Sequence, residues 1–412
     1  MDVERRSPPP LDVDLATPDP VPEDAIDEAV KIMRSGAIFR YAEAGARESA
    51  ATMLEVEFAQ ATGRRYAVGV NSCGSAMYLA LHCMGVGVGD VVLMNSWTLA
   101  PVAGAVAHVG ARAVLVETTD DLTIDLDDLA AAAARHPGSV LLLSHMRGHI
   151  VDLPALMRIC DDHGVRVIED CAHSLGGGWG SQLTGTFGVA GCFSTQGYKH
   201  LNSGEGGFLV TDDDAVAARA VLASGSYMLY GQHSSRPPVE YVDRFAAMEP
   251  NHSMRMTNLT AALLRPQLKA LPARISGWNE RYNRLASGLR DVPGVRLPHR
   301  PTDERFVGSS LQFFVDDLSA EHATTFCTLA DALGVHIKWF GAAAPTGFTS
   351  DYRSWAYAER PALPRTNAVL ARLFDIRVPL ALPVDRCADV VAIVAYALAT
   401  APAQIHRAGG SF

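Results

Sequence analysis

Short apolar runs, set apart by glycines and by helix-like spacing, dominate the chain from about residue 50 to 255. YAVGV (66–70), DVVLM (90–94), ARAVLVE (111–117), SVLLL (139–143) and VRVIED (165–170) have the length and branched apolar content of buried strands. Between them AMYLALHCM, LDDLAAAAARH and LPALMRICDDHG repeat apolar residues three and four apart, as helices do. This alternation predicts an α/β fold built on a mostly parallel sheet with helices on both faces. Ligands of such sheets gather outside the carboxyl ends of the strands, so polar residues just past those ends carry the most weight.

The flanks read differently. Pro8–Pro10, Pro18, Pro20 and Pro22 deny residues 1–22 a helix and predict an extended arm. Glu23–Met33 and Ala51–Ala61 are spaced as amphipathic helices, the second ended by Gly63. From Met256 a long helical pattern runs through LTAALLRPQLKAL to ISGWNERYNRLASGL, with a break or kink expected at Pro266 and Pro272. SSLQFFVDD, VHIKWFG and DVVAIVAYALAT then fit a smaller α+β unit. The expected organisation is an arm over 1–22, a large α/β domain over 23–255, and a linking helix with a small C-terminal domain over 256–412.

Composition narrows the function classes. With 412 residues, 48% hydrophobic and 19% charged, the chain can bury two cores. The excess of 45 acidic over 35 basic residues argues against nucleic acid. Seven cysteines without a CxxC pair suggest incidental thiols in a reducing cytoplasm and no metal site. The charged, proline-rich start lacks the apolar core of a signal peptide. The longest uncharged stretches, Tyr66–Gly89 and Cys171–Tyr198, are too polar and glycine-rich to span a membrane.

Lysine is scarce: positions 31, 199, 269 and 338 hold the only four. Lys31 and Lys269 fall in helical patterns where a solvated position is ordinary, and Lys338 falls in a strand. Lys199 sits in a glycine-flanked turn, YKHLNSGEGG, with Ser194 five residues before it and Asp170 closing the strand VRVIED. NSCGS lies between a strand and a helix start, where free N–H groups and the helix dipole bind anions. An anion cradle, a carboxylate, a hydroxyl and an amine are the groups that pyridoxal 5′-phosphate requires.

Over about Pro22 to Leu398 the chain resembles the DegT/DnrJ/StrS family of PLP-dependent sugar aminotransferases, of fold type I, and FSTQGYKHLNSGEGG carries the strongest likeness. The resemblance makes Lys199 the internal aldimine and proton shuttle, and Ser194 a phosphate ligand. EDCAH makes Asp170 the partner of the pyridine nitrogen and places His173 near the ring hydroxyl. Ser72, Cys73, Gly74, Ser75, Ala76 and Met77 match the family's SGTxAL phosphate turn, with Gly74 in place of threonine and Ser75 as its expected compensation. Leu99 stands where an aromatic usually covers the ring, with Trp97 two positions earlier as the other choice. SMRM replaces NxRM, so Ser253 and Arg255 are expected to reach the neighbouring site across a homodimer.

HMRGH (145–149) replaces HLYGQ, and LPRTNAVLARLFDIRVPLALP matches the family's last segment. Arg147 either pairs with an acid at the surface or contacts substrate; His200 is given no catalytic role. The implied reaction is a two-half transamination cycling through pyridoxamine 5′-phosphate. Glutamate or glutamine gives the amine, and a keto-sugar, nucleotide-linked, or a keto-cyclitol accepts it. Relatives with histidine at the lysine position dehydrate ketosugars, and a regulatory, non-catalytic member is the third reading. Arginine- and alanine-rich usage suggests a GC-rich bacterium and antibiotic or cell-envelope sugars.

Overall fold

Seven strands assemble one sheet: β1 (Tyr66–Val70), β2 (Val91–Asn95), β3 (Arg112–Val116), β4 (Val140–Ser144), β5 (Arg166–Asp170), β6 (Ala190–Ser194) and β7 (Gly207–Thr211). The computed structural model describes residues 6–42, 48–342 and 350–408. The strand order is β1-β7-β6-β5-β4-β2-β3, parallel from β3 through β6, with β7 antiparallel to both neighbours. Apolar side chains fill both faces, which is why the strand runs do not alternate. Met94, Leu142 and Ile168 face the helices Cys73–Cys83 and Ala100–His108, whereas Leu93, Leu141 and Val167 face Leu126–Arg135 and Leu153–Asp162. The carboxyl ends of β1, β2, β4, β5 and β6 therefore share one edge.

A glycine lets that edge close. A Cβ on Gly207, the last residue of GEGG, would lie 2.6 Å from the Phe193 carbonyl oxygen and 2.7 Å from Cys73 N. Only a bare backbone passes beneath the start of the Cys73–Cys83 helix.

The expected break at the prolines does not occur. Asn258–Arg290 is one helix of 33 residues with Pro266 and Pro272 inside it. Each proline costs about 3 kcal/mol in a helix interior, but both halves of this helix are anchored. Ala261, Leu264 and Leu268 pack with Phe58, Phe193 and Phe208, while Tyr282, Leu285 and Leu289 join the core of a second sheet.

That sheet is antiparallel and contains β8 (Val295–Arg296), β9 (Ser310–Val315), β10 (Ile337–Trp339) and β11 (Leu373–Arg377) in the order β8-β9-β11-β10. Leu311, Phe313, Phe374 and Ile376 form its apolar side, packed with the helix Ala320–Ala332 and the closing helix Cys387–Ala408. Its other side meets the large sheet, where Phe314 and Leu373 join Trp97 and Met146. A minor sheet joins Gly178–Trp179, Gln182–Leu183 and Glu304–Arg305.

The described part of the arm, residues 6–22, is not helical, and its first five residues lie outside the described residues. Leu11 and Leu15 are buried in the second core, and Leu11 N donates to the Leu333 carbonyl at 2.8 Å. All seven cysteines are free, and among the described residues no helix is long and apolar enough to cross a membrane.

Candidate active site

Asp170 ends β5 with its carboxylate buried and held from two sides. Ser144 lies opposite it in the parallel ladder and donates its hydroxyl to Oδ2 at 2.7 Å, while Ala172 N donates to Oδ1 at 3.1 Å. Ser144 is itself fixed, because Thr98 donates to its hydroxyl oxygen at 2.8 Å and the Asn95 side chain exchanges two bonds with its backbone. Among the described residues no lysine or arginine forms a salt bridge with Asp170. A buried carboxylate so oriented and without a counter-ion is ready for a cationic N–H.

Lys199 follows β6 in a turn and brings its amine against Nε2 of His173. Nδ1 of His173 accepts the Arg147 backbone N–H at 3.0 Å, so a neutral imidazole carries its proton on Nε2, facing the lysine. Burial holds His173 well below the usual histidine range. Burial first, and the charge of Arg147 second, push Lys199 down to about 8, against the pull of Asp170. The amine therefore passes through its neutral form near ordinary working pH. The HMRGH segment makes this contact possible, since Arg147 adopts a left-handed backbone (φ 55°) that turns its N–H toward the ring. His200 is occupied elsewhere, 3.0 Å from the Ser309 hydroxyl and against Trp278.

The helix start expected to cradle an anion is capped, with one change. Ser72 caps the Cys73–Cys83 helix and accepts Ser75 N at 3.0 Å, leaving the first N–H groups, of Cys73 and Gly74, without intrahelical acceptors. The Ser75 hydroxyl, expected to replace a lost threonine donor, donates to Asn71 Oδ1 at 2.6 Å instead. Ser194, at the end of β6, accepts Gln196 N at 3.3 Å and keeps its own proton to donate. Cys73 lies 3.8 Å from Asp170 through its sulfur, and burial pushes that thiol well up, so it is neutral.

Trp97 is 1% exposed and meets Phe340 edge to face at 5.5 Å, so it is committed to the junction between the sheets. Leu99, half-buried at the start of the Ala100–His108 helix, is the freer of the two. Arg147 pairs with an acid, but not at the surface: its partner is buried Asp375 at 2.8 Å, and Arg147 also lines the cavity of Lys199 and His173. Ser253 has φ 54° in an exposed turn, and Arg255 donates to the Gly225 carbonyl at 3.0 Å with its guanidinium over Phe39 and Tyr227. Asn71 N donates to the Met254 carbonyl at 2.9 Å, which sets this turn beside the cradle.

Five contributing residues have no counterpart in the sequence reading. Ser144 was detectable, as the final residue of the strand neighbouring β5. The arm residues Thr17, Pro18 and Asp19, and Arg377 of β11, also line the Lys199 cavity; their placement follows from tertiary packing and leaves no local signal.

Residues 22–395 match the DegT/DnrJ/EryC1/StrS aminotransferase family. The chain is 32% identical over 279 residues to dTDP-3-amino-3,4,6-trideoxy-alpha-D-glucose transaminase of Micromonospora megalomicea subsp. nigra, covering 67% of this chain and 70% of that protein. It is 35% identical over 253 residues to L-glutamine:scyllo-inosose aminotransferase of Streptomyces griseus, covering 60% of this chain and 57% of that one. The crystal structure of 3-amino-5-hydroxybenzoic acid synthase superposes with a TM-score of 0.80 at 23% identity, covering 96% of this chain and all of the other (100%).

Proposed function

The chain belongs to the DegT/DnrJ/EryC1/StrS aminotransferase family, and from that premise we propose that it aminates a keto-sugar, nucleotide-linked, or a keto-cyclitol, taking the amine from glutamate or glutamine. The observation that carries this reading is the convergence of Lys199, Asp170 and the Cys73–Gly74 N–H pair on one sheet edge. These groups fit pyridoxal 5′-phosphate in kind: an amine that loses its proton near pH 8, a buried carboxylate without a counter-ion among the described residues, and a helix start whose first N–H a Cβ on Gly207 would crowd. When bound, the cofactor supplies an aldehyde to an amine and a protonated ring that draws electrons from the carbon losing its proton.

Each residue then has a task. Lys199 holds the cofactor through its amine and, once released, carries the proton between the donor carbon and the cofactor. His173 offers its Nε2 proton to that amine and keeps it aligned. Asp170, steadied by Ser144, keeps the ring nitrogen protonated; a hydrogen bond to a charged group is worth about 1.5–3 kcal/mol. Cys73 N, Gly74 N and Ser194 hold the phosphate. Leu99 covers the ring with an apolar face in place of an aromatic one.

The acceptor classes follow the relatives, one named for a nucleotide-linked amino sugar and one for a cyclitol ketone. Cycling through the pyridoxamine form, a cytoplasmic setting and a homodimer with Ser253 and Arg255 at the neighbouring site belong to the same reading. Exposed Phe39 (47%) and Tyr227 (58%) against Arg255, with exposed Met228 (82%) next to Tyr227 in sequence, support such an interface.

Borohydride fixation of the cofactor followed by peptide mapping tests the proposal. The label is expected on Lys199, and the cofactor absorbance is expected to bleach with glutamate. A label elsewhere, or none, removes the reading. Lys199→Ala should lose the label and at least about a thousandfold in transamination rate.

A further inference from the structure

The second sheet carries a polar row whose Ser310 and Arg377 line the Lys199 cavity, and among the described residues one member of that row has no hydrogen-bond acceptor. Gln312 lies opposite Asp375, Ser310 opposite Arg377, and Lys338 opposite Asp375 from the other strand. Strand alternation places all five on one face. Asp375 is held on both oxygens: Gln312 Nε2 donates to Oδ1 at 2.6 Å and an Arg147 terminal nitrogen pairs with Oδ2 at 2.8 Å, leaving the Arg147 Nε without an acceptor among the described residues, while Gln312 Oε1 meets His149 Nε2 at 2.8 Å. Lys338 donates to the Ser350 hydroxyl at 3.1 Å.

Arg377 shares in none of this. It is half-buried and lines the cavity with Lys199, yet among the described residues no carboxylate or carbonyl accepts from it. Its guanidinium carbon lies over the Tyr198 ring, 3.7 Å from the centroid. Stacking covers a face of the guanidinium and leaves its N–H edges open, the arrangement that suits a bidentate carboxylate. Burial, and Arg147 nearby, push its pKa below the ordinary arginine value, so the cation sits where an anion is wanted.

We propose that Arg377 seats the carboxylate on the amine-bearing carbon of the amino donor. The proposal rests on the aminotransferase reading above. The donor must bring that carbon to Lys199, and its carboxylate is attached to the same carbon. A keto-sugar or cyclitol ring carries no charge beside its reacting carbon. Arg147 is less suited, because Asp375 already holds its guanidinium.

The test is glutamate titration of the holoenzyme, following cofactor bleaching in a single turnover, for wild type, Arg377→Gln and Arg377→Lys. The glutamine variant should need roughly thirtyfold more glutamate for half-saturation, the effect of losing a charged hydrogen-bonded pair. Its cofactor absorbance and limiting bleaching rate should stay within a few-fold of wild type. The lysine variant should recover part of the loss, since it restores charge without the fork. Glutarate, which cannot react, should compete with glutamate in wild type and lose that competition in the glutamine variant.

Unchanged half-saturation in Arg377→Gln would overturn the proposal. So would an equal loss for the amino alcohol of glutamate, which lacks the carboxylate on the reacting carbon. If wild type carries no borohydride label on Lys199, the aminotransferase reading fails before Arg377 is altered, so the two failures are separable.

Discussion

The carboxyl edge of the large sheet and the polar face of the small one meet at the Lys199 cavity, reached by His173 and Lys199 from the first and by Ser310 and Arg377 from the second, but they are encoded differently. In the parallel sheet each functional group follows the end of its own strand: Asp170 after VRVIE, Ser194 and Lys199 after AGCF, the cradle after YAVGV. The chemistry is local and comes in short words. On the small sheet the face is made of alternate residues from three strands, with Gln312 bonded to Asp375 across 63 positions. Each of those residues alone looks like an ordinary polar strand position. A parallel α/β edge therefore advertises its site, and an antiparallel face assembled from distant strands conceals it.

Asp170→Asn tests the first side most severely. An amide cannot hold the ring nitrogen protonated, so kcat should fall about 10²–10³-fold, the usual range for losing one preorganised electrostatic partner. Cofactor capture should persist, since Lys199 and the cradle are untouched. Steady-state kinetics beside a cofactor titration separates the two effects. A drop in capture with unchanged kcat would place Asp170 outside the reaction.

Legibility follows the same division. The strand runs, the end of the second helix at Gly63 and the closeness of Lys199, Asp170 and Ser194 on one sheet edge could be read because period and spacing fix them locally. The fate of Pro266 and Pro272 could not, because cores at both ends of the 33-residue helix outweigh a local cost. The Ser75 hydroxyl is harder to place from sequence for a related reason: Asn71, one turn away, accepts from it at 2.6 Å. For Arg147 the sequence leaves a surface acid and the substrate as alternatives, because nothing near HMRGH in sequence reveals the buried Asp375.

Asp375→Ala should damage the second side and spare the first. Removing one partner of a buried pair costs about 3–5 kcal/mol, and the partial exposure of Arg147 places the expected loss near the lower figure, about 3 kcal/mol. Urea unfolding of the apoprotein measures it. The borohydride label should still fall on Lys199. A variant of unchanged stability would mean that Arg147 finds another acceptor.

The pH dependence reads the edge between the two sides. Lys199 is pushed down to about 8 by burial and by Arg147, so below pH 8 the folded protein holds the amine protonated. Cofactor capture by the apoprotein should slow about tenfold per pH unit below 8 and level off above it. Stability shifts the same way. Between about 8 and the ordinary lysine value of 10.5 the unfolded chain holds this proton and the folded one does not, so Lys199 contributes a rise of stability with pH across that window, against the fall contributed from about 9 upward by the buried thiols that burial pushes up. Lys338, also pushed down to about 8 by burial, adds a rise of the same sign. Read as the difference from wild type, Lys199→Met should thus remove the Lys199 contribution, and Lys199→Met with Lys338→Met both contributions.

The smallest expected effect is the most informative about how the edge is organised. Ser144→Ala deletes the 2.7 Å bond to Asp170 Oδ2 and leaves the Thr98 hydroxyl without its acceptor, while Ala172 N still holds Oδ1. One such bond is worth about 1 kcal/mol, so kcat should fall roughly fivefold with little change in half-saturation by either substrate. The double variant with Asp170→Asn should be no slower than Asp170→Asn alone, because the serine acts only through the carboxylate. Additive losses would mean that Ser144 touches the cofactor or substrate itself, and the ladder neighbour of Asp170 would then be a contact of the site and not its support.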